Sequence, residues 1–129
     1  MLKTSILVLL TLCSSQAWAA WTLLTSDASS DIYYDQTSIK KNKHMSEMRI
    51  LANATDPKVI DLATSLSQVR LTEYNCIKKT YHVRSLAVYA GHMGNGQKVL
   101  EQNYPKKEWK KIPPKSIFSH TLKKACGSK

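Results

Sequence analysis

The sequence lacks the motifs from which most small enzymes are built. No two histidines stand at H-x-x-x-H spacing and no C-x-x-C pair occurs, which excludes the commonest compact metal and dithiol sites. The four histidines, His44, His82, His92 and His120, are widely scattered. No pair of carboxylates stands out for general acid–base work. Glycine is scarce, with four in the chain, and three of them fall in the single stretch Gly91 to Gly96. That stretch lies between two strand-like runs, so it is not a phosphate-cradling loop opening a helix. No metal and no cofactor is therefore expected. There is no internal repeat and no low-complexity linker, which leaves one domain. No apolar run reaches the ~20 residues that span a bilayer.

What the chain does have begins with an export signature. Met1-Leu2-Lys3 is a short positive region, Ser5 to Leu12 is apolar, and Ala17-Trp18-Ala19 offers small residues at a cleavage point. This is the layout of a secretory signal peptide over residues 1–19, with a mature domain over residues 20–129. Cys13 lies inside the leader; a lipidation site wants a small residue before the cysteine, and Leu12 stands there. Cys76 and Cys126 remain, an even count in an oxidising compartment, so a Cys76–Cys126 disulfide is expected. A loop of about 50 residues closed in this way is worth about 4 kcal/mol in the chain-entropy model.

Acidic residues are few. Nineteen lysines and arginines, less Lys3, leave eighteen against nine acidic residues, and only Arg49, Arg70 and Arg84 are arginine. Such a surface favours anionic partners: sulfated glycans, lipopolysaccharide or acidic protein patches. Export argues against nucleic acid.

The periodicity predicts strands over Ala20 to Ser26, Asp31 to Ile39, His44 to Ala52, Leu66 to Ile77, Thr80 to Ala90 and Gln97 to Tyr104. Lys40 to Lys43 reads as a hairpin tip, Lys58 to Ala63 as a helical turn or two, and Gly91 to Gly96 as a turn. After Pro113-Pro114, Ser116 is a candidate N-cap. Ile117, Phe118, Thr121, Leu122, Ala125 and Cys126 then form one face of an amphipathic helix, and Gly127 can end it. Cys126 is in phase with that face and Cys76 with Tyr74, so the bond would pin the helix to the sheet.

These landmarks resemble the surface-adhesin E family of small exported Gram-negative proteins. The matching pieces are Trp21, YYDQTSIKK (Tyr33 to Lys41), EYNC (Glu73 to Cys76), RSLAVYAG into GNG (Arg84 to Gly96), WKKIPPKS (Trp109 to Ser116) and KKAC (Lys123 to Cys126). The resemblance implies an α+β fold: one antiparallel sheet of about six strands, with a C-terminal helix held on one face by a disulfide. It also implies adhesion to host matrix components such as vitronectin, laminin and plasminogen.

From the residues themselves, the binding candidates are Lys78, Lys79, Lys106, Lys107, Trp109, Lys110 and Lys111. Lysines beside an aromatic suit anionic polymers, and they make a non-enzymatic binding module the leading reading. Apolar residues on both strand phases hint at homodimerisation through the sheet, or at a ligand surface. Two rivals remain. One is a periplasmic accessory protein or enzyme inhibitor with no adhesive role. The other is a hydrolase using His82 on its strand and His120 on the helix.

Overall fold

The computed structural model describes residues 21–57 and 65–127. The expected leader, with Cys13, and the expected helical turns at Lys58 to Ala63 lie outside the described residues. The strands are β1 (Trp21–Ser26), β2 (Ser30–Asn42), β3 (Met45–Ala54), β4 (Ser67–Asn75), β5 (Thr80–Tyr89) and β6 (Lys98–Asn103). They lie side by side in chain order, each antiparallel to the next. A two-residue strand, β7 (Lys110–Lys111), continues the row of β6 along the outer edge of β5. One α-helix, α1 (Ile117–Cys126), packs on one face.

The meander follows from its turns. Asp27 Oδ1 accepts the backbone N–H groups of Ser29 and Ser30 at 2.8 Å each, closing the first hairpin. Those N–H groups also hold the Asp27 carboxyl below its ordinary pKa. The second hairpin is tighter than Lys40 to Lys43 suggests. Pairing runs through Asn42 opposite Met45, because Lys43 takes a positive φ of 57° and the chain reverses in two residues.

Alternation divides the strand residues between two faces. Ile32, Tyr34, Met48, Ile50 and Tyr74 point to one side and close around Ala125 of the helix. The helix is held at both ends. Ser116 is its N-cap, accepting the Ser119 N–H at 3.3 Å. At its C-terminus Ser46 Oγ donates to the Ala125 carbonyl at 2.6 Å, and Lys41 Nζ to that of Cys126 at 3.3 Å. The Cys76–Cys126 disulfide is formed, with Cα atoms 5.8 Å apart. Phe118 stacks on Tyr81 with ring centroids 4.0 Å apart.

The opposite face mixes charged and polar residues with apolar ones, and two of the apolar residues have their own cover. Leu51 and Val69 are buried beneath the β5–β6 connection, which contains a 3-10 turn at His92–Gly94. Asn53 Oδ1 accepts the Met93 N–H at 2.8 Å, and Ser67 Oγ accepts that of Gly94 at 2.9 Å. Gly94 has a φ of +72°, and its Cβ position is 3.5 Å from a methyl of Leu51. The apolar residues that hinted at a sheet-to-sheet contact on this face are thus partly sheltered by the chain itself.

Candidate functional site

The lysines singled out in the sequence come together at one corner of the sheet. The β4–β5 turn is built by Asn75, whose Oδ1 accepts the N–H groups of Ile77 at 3.2 Å and Lys78 at 2.9 Å. Its carbonyl accepts the Lys79 N–H at 2.9 Å. Lys79 adopts a φ of 53°, and Ile77 is left 75% exposed at the tip. β7 is laid beside this turn: Lys111 pairs with Thr80, Lys110 with Tyr81, and the Ile112 N–H reaches the Lys79 carbonyl at 3.2 Å. Lys78, Lys79, Lys110 and Lys111 therefore crowd one edge although thirty residues of chain separate the pairs. All four are exposed.

Lys106, Lys107 and Trp109 lie in the connection from β6 to β7, which crosses the edge of β5. Lys107 Nζ sits 3.6 Å from Glu73 Oε1 on the charged face, so its charge is partly matched. Trp109 packs against His82 on the same side, with centroids 5.8 Å apart, and the Glu108 N–H points at His82 Nδ1 at 3.4 Å. His82 is buried at 4% exposure and serves as a platform for the tryptophan. Like charges gathered on one edge repel, and solvent, salt or a bound anion relieves that repulsion.

The hydrolase reading required His82 and His120 to approach one another. His82 pairs with Glu73 on the phase that faces away from the helix, whereas His120 is exposed on the helix. The sheet stands between them, and no general-base pair forms. Among the described residues no group of three metal-ligating side chains occurs. No helix there is long and apolar enough to cross a membrane.

One charged residue escaped the sequence reading. Arg70 is the only charged strand residue among those described on the helix-bearing phase of β3 to β6, opposite Ile50 on β3 and Leu86 on β5. It is half-buried. It lines two adjoining cavities: one of about 180 Å³ between sheet and helix, and a wider cleft of about 440 Å³ reaching Lys106 and Lys110. The signal was legible: Gln68, Arg70, Thr72 and Tyr74 share a phase, and arginine is out of place on a core-facing one. Glu73, the partner of Lys107, carried no comparable signal, because only the fold of the β6–β7 connection brings the two together.

The geometry defines a class of protein: a single antiparallel sheet with a disulfide-strapped helix on one face and a lysine-rich corner. The chain belongs to the family of surface-adhesin protein E, whose model matches residues 21–127. Its fold is shared with protein E of Haemophilus influenzae. The crystal form II structure matches at a TM-score of 0.58 and 14% identity over 84% of this chain and 88% of that one. Protein E from a non-typeable strain matches at 0.53 and 13%, over 84% and 76%. No curated protein matches the chain.

Proposed function

We propose that this protein is an exported, non-enzymatic adhesion module that engages acidic or glycan-bearing macromolecules through its lysine corner. Family membership supports adhesion as the role. The observation that carries the choice of surface is the pairing of Thr80 with Lys111 and Tyr81 with Lys110, which sets Lys110 and Lys111 against Lys78 and Lys79. The exposed Ile77 and the partly exposed Trp109 supply apolar contact beside the charge, a combination that suits protein as well as glycan partners. Host matrix proteins such as vitronectin and laminin are the leading candidates, and heparin serves as an anionic probe.

The test is solid-phase binding of the purified exported protein to vitronectin, laminin and heparin at graded salt. Binding should fall with rising ionic strength. Replacing Lys78, Lys79, Lys110 and Lys111 together by glutamate should weaken it by about tenfold or more near physiological salt. Unchanged affinity in that variant would move the surface elsewhere on the molecule. Absence of binding by the parent protein to any of the three would remove adhesion as the reading.

A further inference from the structure

The helix covers only part of its face of the sheet, and what it leaves open is chemically unlike the lysine corner. Beside the N-terminal turn of α1, a cavity of about 180 Å³ is walled by Ile50, Ala52, Ile117 and Phe118. Arg70 and Thr72 line it from β4. Arg70 makes no ion pair, hydrogen bond or ring contact with any described residue. Half-buried, it gives up part of its hydration; Glu108 lines the wider cleft with it but makes no ion pair to it. Thr72 is 0% exposed, and its hydroxyl has no aligned hydrogen-bond partner. The Tyr74 hydroxyl beside it, also at 0% exposure, is in the same position. Residues two apart on a strand share a face about 7 Å apart. The fold thus places an unpaired guanidinium beside a buried hydroxyl that has the Tyr74 phenol as a neighbour but no aligned hydrogen bond, at one largely apolar cavity.

We infer that this cavity binds a small anionic amphiphile: a monocarboxylate with a medium-length aliphatic tail, its head on Arg70 and its tail between sheet and helix. The size fits such a ligand. A water molecule's share of liquid volume, like a methylene's, is about 30 Å³, so the cavity holds a tail of about six or seven carbons, with the carboxylate outside it on Arg70 at the mouth of the wider cleft. Arg70 also borders the cleft of about 440 Å³ that carries Lys106 and Lys110 on its rim, and those lysines draw anions toward the mouth. A peptide fits less well. β4 is paired with β3 on one side and β5 on the other along its whole length from Ser67 to Asn75. A peptide main chain at Arg70 would find no free strand edge to pair with.

The experiment titrates the intact exported protein with octanoate, octanol and acetate, by calorimetry and by backbone amide chemical shifts. Octanoate should bind and shift resonances of β4 and the first turn of α1. Octanol, with no charge, and acetate, with no tail, should bind at least about tenfold more weakly, because a charge-assisted contact and the buried tail each carry that much. Arg70→Gln should weaken octanoate about tenfold or more with a thermal midpoint no lower than the parent's, and Arg70→Lys should retain part of the affinity. Thr72→Val, which keeps shape and removes the hydroxyl, should weaken it several-fold. Arg70→Gln should leave heparin binding as it was, which separates this site from the lysine corner. Equal binding of octanol and octanoate, or full affinity in Arg70→Gln, would overturn the inference. So would displacement of the site by self-association, seen as a concentration-dependent dimer that takes up no octanoate. An acidic peptide that occupies the cleft while octanoate does not would overturn it too, in favour of a protein partner.

Discussion

The two faces of the sheet solve the problem of burial in different ways. On one, Ile32, Tyr34, Met48, Ile50 and Tyr74 lie under a helix of ten residues, too short to persist alone in water and fastened by a disulfide. On the other, the buried apolar side chains are Leu51 and Val69, under a glycine-bearing turn. Ion pairs lie among the half-buried and polar residues of the rest of that face: Arg84 with Glu47 at 2.6 Å, Lys107 with Glu73 at 3.6 Å, Arg49 with Asp35 at 3.9 Å. The difference separates stability from display. The strapped face holds most of the buried apolar area, while the ionic face, partly solvated, contributes little net energy and leaves its charges available at the rim.

Cutting the strap tests this division most severely. Replacing Cys76 and Cys126 by serine releases a cross-link of sequence separation 50, with an expected loss of about 4 kcal/mol in denaturant unfolding. Amide exchange should rise first along α1, while the Asn53–Met93 bond on the opposite face keeps its protection. A loss below about 1 kcal/mol would mean that packing alone holds the helix, and that the two faces differ little in how they are fastened.

A matched pair of truncations sharpens the comparison. Met48 and Leu51 are both at 0% exposure, three residues apart on β3, and face opposite sides. Met48→Ala and Leu51→Ala should each cost about 3 kcal/mol. Without the disulfide they should part company. Met48→Ala loses much of its effect, because the freed helix no longer presses on the site, whereas Leu51→Ala keeps its full cost. The coupling appears as non-additivity in a double-mutant cycle; additive behaviour of Met48→Ala with the serine substitutions would dissolve the distinction.

How far the sequence disclosed this arrangement depends on whether the signal was local. Strand phase, the Ser116 cap, the Gly127 stop and the Cys76–Cys126 pairing are written in neighbouring residues or in simple counts, and each is matched by the fold. The tip at Lys43-His44 was missed by a few residues because lysine gives no advance notice of a positive φ. What was illegible is what the loops do at a distance. Nothing in Gly91 to Gly96 announces that it folds back over Leu51. Nothing in Lys107 announces Glu73 as its partner, and the separation of His82 from His120 depends on which phase each strand turns inward. The lysine corner lay between these cases: its members were visible, but their meeting required β7 to pair with β5.

The smallest expected effect probes the polar flaw in the strapped face. Tyr74 is fully buried, and burial pushes its phenol pKa up from 10.0, more than the neighbouring hydroxyls of Thr121 and Thr72 pull it down. The folded state therefore favours the neutral phenol. Below the unfolded value of about pH 10 both states hold that proton, and the stabilisation is fully present. As pH rises past 10 the unfolded chain ionises first and stability falls. Since the Tyr74 hydroxyl makes no aligned hydrogen bond, Tyr74→Phe should change stability by less than about 1 kcal/mol at neutral pH. The difference between parent and variant should then move steadily in the variant's favour between about pH 9 and pH 11. Lysine and the remaining tyrosines titrate in both proteins and cancel in that difference. A parent-minus-variant curve that stays flat through this window would mean that the phenol finds a compensating partner on ionisation, and that the strapped face tolerates charge as readily as the ionic one.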